Sequence, residues 1–177
     1  MKKLKKIPLI AIVIIIVLTG VVVLSVVSMF LSDKMDDERY ERELKKSFSE
    51  IEYTVPGEFI NTYEYNYRYD EDDCSCSIYF NSSKKYDDLF EDWFKGQIYL
   101  DLSADVSEQE EIDVNGNKAL HIDVKNKYSY RRYYGFESSN YYYIVEFNIY
   151  DSKHGDGTEN SECYSSVETV LNSIKIK

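Results

Sequence analysis

Chemically reactive residues are scarce along this chain of 177 residues, which has three cysteines, two histidines and one tryptophan. Structural zinc sites need four ligands in most cases, so Cys74, Cys76 and Cys163 with the distant His121 and His154 make a poor zinc set. There is no Gly-x-Ser-x-Gly, no glycine-rich phosphate loop and no His-Glu-x-x-His, and with them go the commonest sequence signatures of hydrolases, nucleotide binders and zinc proteases. A standard calcium loop over Asp151 to Glu162 fails at Lys153, Gly155 and Asp156, which stand where oxygen ligands and the turn glycine are required. Looser cation binding at Asp70 to Asp73, or within that loop, stays open. No cofactor is expected.

Positive charge is also short. The chain has 21 Lys plus Arg against 32 Asp plus Glu, and four of the lysines (Lys2, Lys3, Lys5 and Lys6) precede residue 32 while no acid does. Residues 32–177 therefore hold 17 basic against 32 acidic side chains, a formal −15. A domain so charged is repelled by nucleic acid and by anionic lipid head groups, which excludes nucleic acid as a partner. The acid excess serves solubility in the first instance. A cationic partner or a cation-rich wall environment is the sharper reading.

Charge is missing altogether from Ile7 to Leu31, an almost wholly apolar run. About 20 apolar residues cross roughly 30 Å of hydrocarbon as a helix. Pro8 sits at its start, where no intrahelical N–H is needed. The run predicts a single uncleaved transmembrane helix, with the lysine-rich tip cytoplasmic and the rest outside. A cleaved secretory signal, ending near Val26 and Ser28, is the competing reading, but its apolar core is ordinarily about 7–15 residues. No cysteine directly follows the run, which argues against a lipid-anchored precursor. The expected organisation is residues 1–31 as tip and membrane helix, 32–51 as a charged helical stalk striped by Tyr40, Leu44, Phe48 and Ile51, and 52–177 as one extracytoplasmic domain.

The domain reads mainly as antiparallel strands. From Thr62 to Asp70 tyrosines alternate with polar residues, and Cys74 to Phe80 alternates again after an acidic break. A four-residue loop pairs Tyr69 with Cys74 and Tyr67 with Cys76, placing every apolar member on one face. Residues Lys84 to Ile98 change to helical spacing, with Trp93 in the apolar stripe. Around Asn115-Gly116 the preferred turn spans Asn115 to Asn117 and sets Ile112 opposite Leu120. Tyr128–Phe136 and Tyr141–Tyr150 form a third hairpin, burying Tyr141, Tyr143, Val145, Phe147 and Ile149. A last helix carries Cys163, Val167, Val170, Leu171 and Ile174 on one stripe. The order predicts an α+β fold, an antiparallel sheet packed with helices as an α/β/α sandwich.

Tyr-x-Val-Pro-Gly at Tyr53 to Gly57, the Leu/Trp/Phe helix, Val114-Asn115-Gly116 with Ala119, the tyrosine-rich last hairpin and the closing Val167 to Ile174 helix together resemble the PsbP-like superfamily of small α/β/α sandwiches over roughly residues 52–177. The resemblance implies a non-enzymatic accessory or binding domain and brings no site residues with it.

Three groups of residues are candidate sites. A disulfide from Cys163 to Cys74 or Cys76 is permitted outside the cell, the alternative being three buried thiols. Eighteen tyrosines suggest an interaction surface, and Tyr133, Tyr142 and Tyr150 fall off the buried parity of their strands, so that some are exposed or covered by the second helix layer. His121 and Asp123 share a strand face and mark the alternative function, a hydrolase or cation-dependent module with an unrecognised site. The leading expectation is a non-enzymatic, membrane-tethered binding domain. Its partners are the bilayer, through residues 7–31, and an extracytoplasmic protein or wall component.

Overall fold

A computed structural model of the chain describes residues 25, 27–29, 34–63, 65–71, 74–86, 89–98, 104–126, 129–151 and 162–177, with the backbone alone at 71, 74, 151 and 162–164. The expected membrane helix lies almost wholly outside these residues. Among them, no helix is long and apolar enough to cross a membrane.

The chain divides into two compact units, Met1–Leu44 and Lys45–Lys177. In the first, residues 34–44 are helical and expose Met35 and Tyr40. The second opens on helical residues 45–47 and a turn, then folds as α+β. Its strands are β1 (Ile51–Glu52), β2 (Ile60–Tyr63), β3 (Asn66–Glu71), β4 (Cys74–Lys84), β5 (Asp105–Val106), β6 (Glu110–Val114), β7 (Asn117–Lys125), β8 (Tyr130–Glu137), β9 (Tyr141–Asp151) and β10 (Lys175–Ile176). Its helices are α1 (Phe90–Gln97) and α2 (Glu162–Ser173). One antiparallel sheet runs β2-β3-β4-β9-β8-β7-β5, with β6 also on β7, and β1 pairs separately with β10.

Both faces of the sheet are apolar at its centre. On one face Cys76, Ile78 and Phe80 of β4 meet Tyr143, Val145, Phe147 and Ile149 of β9, covered by Val167, Val170, Leu171 and Ile174 of the α2 segment. On the other, Leu120, Ile122 and Val124 of β7, Tyr133 of β8 and Ile144 of β9 pack under Phe94 and Ile98. Phe94 has no solvent exposure, and burying such a ring contributes about 1.5–3 kcal/mol.

The expected buried face of β9 is found as read. Four local expectations are corrected. The tyrosine run is not one strand: Tyr65 breaks it with φ +60, turning its ring to stack on Phe48 at 3.8 Å between centroids and leaving Tyr63 exposed on β2. Tyr69 pairs with Cys76 and Tyr67 with Ile78, two residues away from the expected register. A shift of two keeps every side chain on its face, so face logic alone could not see it. Asn115 and Gly116, with φ +53 and +81, form a two-residue turn that sets Ile112 opposite Ala119, not Leu120. That puts Leu120, Ile122 and Val124 on the second face, where α1 covers them. Finally, the helix begins only at Phe90, because Lys84 is still in β4 and the Lys85 N–H donates to the Asn140 carbonyl at 2.9 Å.

The segment just before β1 is tied to the sheet by Tyr143, whose hydroxyl donates to the Ser47 carbonyl at 2.7 Å within the core. Burial pushes the Tyr143 phenol up to about 12. Tyr143→Phe removes that bond but leaves the Ser47 carbonyl the Glu50 N–H at 3.0 Å, so a loss of about 0.5–1.5 kcal/mol is expected in urea unfolding, with the fold retained. A variant as stable as the parent would show that the Glu50 N–H alone satisfies that carbonyl.

Candidate functional site

The alternation of β7 and β8 assembles one compact polar cluster. His121 and Asp123 project from the same face of β7, and Arg132 of β8 lies directly opposite Asp123. Tyr130 stands opposite Lys125 on the same strand pair. The Asp123 carboxylate accepts from the Tyr130 hydroxyl at 2.6 Å and from Arg132 Nε at 3.1 Å. His121 Nε2 lies 2.9 Å from Asp123 Oδ1, and an ionised carboxylate only accepts, so Nε2 carries the proton. The imidazole is buried and stacks on Tyr134 with centroids 4.7 Å apart. The Arg132 guanidinium lies over the rings of Tyr130 and Tyr134, at 5.8 and 5.6 Å.

Burial alone would raise the Asp123 carboxyl. The hydrogen bonds from His121 and Tyr130, with the charges of His121 and Arg132, outweigh it and hold the group below the usual carboxylate range. Asp123 is therefore ionised with its oxygens taken up by protein donors. Ser107, the hydroxyl residue next to it, accepts the Asp123 backbone N–H at 2.9 Å and donates to the Glu108 carbonyl at 3.0 Å. A catalytic pair needs a base that reaches a nucleophile, and here Tyr130 and Ser107 are committed to Asp123 or to the backbone. What the arrangement does well is fasten β7 to β8.

The structure brings His121 and Asp123 together, as their i, i+2 spacing implied, and adds Tyr130 and Arg132. Sequence reasoning did not place either beside His121 and Asp123, although the β7–β8 register would have delivered them. The tyrosine surface is corrected. Tyr133 and Tyr142 are 1% and 6% exposed, and only Tyr150 of the three is open, at 46%. Tyr133 lies in the core beneath α1, and Tyr142 is held by Phe90 and Trp93, with centroids 5.1 and 5.2 Å away. Their off-parity positions reflect a second buried face, not an exposed one. Beside Tyr133, burial raises the Glu146 carboxyl against the opposing pull of Arg131.

Cys76 is a buried free thiol, pushed up to about 12 by its burial. The side chains of Cys74 and Cys163 lie outside the described residues, as do Asp72, Asp73 and the loop 152–161. Asp70 is ion-paired with Arg68 at 2.7 Å. Among the described residues no three His, Cys, Asp or Glu side chains come close enough to hold a metal ion.

The fold and this cluster describe an α+β domain built on one antiparallel sheet. The chain matches no protein-family model and no curated protein. Among solved structures it is similar to LpqN, described as involved in cell envelope biogenesis of Mycobacterium tuberculosis, at 11% identity over 72% of this chain and 83% of that one, with a TM-score of 0.48. It is also similar to a structure from Bacteroides thetaiotaomicron, at 11% identity over 72% of this chain and 45% of that one, with a TM-score of 0.43.

Proposed function

We propose that this chain is a non-enzymatic binding or accessory domain with a PsbP-like architecture, held outside the cytoplasmic membrane by an uncleaved N-terminal helix. The observation that carries the reading is the uncharged run from Ile7 to Leu31 behind four lysines. The −15 of residues 32–177 supports it, because such a domain is repelled by anionic head groups and stands off the bilayer. The commitment of the Asp123 carboxylate to protein donors supports a non-catalytic role for the His121 cluster.

Fractionation with an outside protease tests the address. In cells expressing the full chain with a carboxy-terminal epitope, the full-length protein is expected in the carbonate-washed membrane pellet. Protease added to intact cells is expected to remove the epitope. An epitope protected until the cells are lysed would overturn the topology, and a shortened chain in the soluble fraction would establish cleavage instead of anchoring.

A further inference from the structure

We propose that the groove between the start of α1 and the β6–β7 turn docks a cationic, extended segment of a partner protein through its basic and aliphatic side chains. The inference rests on the reading of the domain as a binding module and names the partner's chemistry. The groove encloses about 850 Å³, and Phe90, Leu120 and Tyr142 supply apolar lining. Glu91, Glu111 and Glu137 bring three carboxylates to it, against Lys118 in the lining and Lys85, which reaches Glu137 and Tyr142 from beside it. At the α1 end Leu89 is 71% exposed, an aliphatic side chain beside the opening with its surface still in water.

Two of the carboxylates already show what they accept. Lys118 pairs with Glu111 at 2.8 Å. Lys85 pairs with Glu137 while its ammonium lies 5.3 Å over the Tyr142 ring. An amine held between a carboxylate and an aromatic face is the recognition chemistry of a lysine or arginine side chain. Glu91 has no ion pair among the described residues, so it is the acid left for an incoming cation. An adjacent aliphatic side chain of the same segment then covers Leu89 and Phe90. A second copy of this chain fits poorly, since it would bring −15 against −15.

Trp93 provides the readout. It is the only tryptophan, and it packs behind the groove with its ring 5.2 Å from that of Tyr142, which lines it. The full chain in zwitterionic lipid nanodiscs is titrated with a tryptophan-free peptide alternating Lys and Leu, and with its Glu-and-Leu counterpart. A saturable change in Trp93 emission is expected with the first peptide and none with the second. Glu91→Lys combined with Glu111→Lys is expected to weaken binding about tenfold, by turning two attractions into repulsions. Leu89→Ser, which leaves charge unchanged, is expected to weaken it severalfold. The absence of any saturable change, unaltered affinity in both variants, an equal response to the acidic peptide, or self-association through the groove would each overturn the inference. The protease assay above is independent of these outcomes: an external domain that fails to bind the peptide sinks the groove alone, and an internal domain sinks the proposed function.

Discussion

Replacing Gly135 by alanine is expected to destabilise the domain by about 1–3 kcal/mol, although the same change in an open strand is ordinarily favourable. Gly135 lies in β8 against α1. A Cβ built on it falls 2.6 Å from Phe94 Cδ2, 3.0 Å from Cε2 and 3.1 Å from Cγ. Turning the ring moves Cδ2 and Cε2 but not Cγ, which lies on the rotation axis, and Phe94 is fully buried, so the ring has little room to turn. Relief requires lifting α1 from the sheet, which uncovers Leu120, Ile122 and Ile144. Phe94→Ala removes the other half of the contact and is expected to cost about 3–5 kcal/mol. The two sites share one space, so Gly135→Ala with Phe94→Leu is expected to be more stable than the sum of the single losses. A Gly135→Ala protein as stable as the parent in urea unfolding would mean that α1 sits less tightly than its geometry requires.

Asp123→Ala is expected to cost about 2–4 kcal/mol, because Arg132, Tyr130 and His121 are all left facing a missing acceptor. The pH dependence has a definite sign. The folded Asp123 carboxyl titrates below its unfolded value of about 3.9, so its contribution is complete above that value and is lost as pH falls toward and through the folded one. Stability measured from neutral pH down into this acid window should therefore fall less steeply in Asp123→Asn than in the parent. If Asp123→Ala kept full stability while abolishing some measured turnover, the cluster would be a catalytic site and not a fastening between strands.

Alternation in the sequence made the antiparallel sheet, the buried face of β9 and the two helices readable, because period 2 and period 3.6 assign faces directly. The same logic is blind to a slip of two, which is why Tyr69 could be set against Cys74 as easily as against Cys76. It also does not say which residues a helix on the second face will cover. At β7 both faces are dry, so the rule that apolar residues share a side pointed to the wrong turn at Asn115-Gly116 and made Tyr133 and Tyr142 look available. The pairing of His121 with Asp123 was legible from spacing alone. Its meeting with Tyr130 and Arg132 was not, since their approach depends on the β7–β8 register, which no local pattern specifies.

The clasp between β1 and β10 gives the domain a history as well as a shape. Ile51, buried to 4% exposure, pairs with Ile176, Glu52 pairs with Lys175, and the Lys177 N–H donates to the Glu50 carbonyl. The ribosome delivers one side of this clasp first and the other only after the whole sheet has been made. For on the order of ten seconds of synthesis, Ile51 waits without the strand that will pair with it. The nascent domain can form its large sheet before β10 exists, but β1 gains its partner only afterwards.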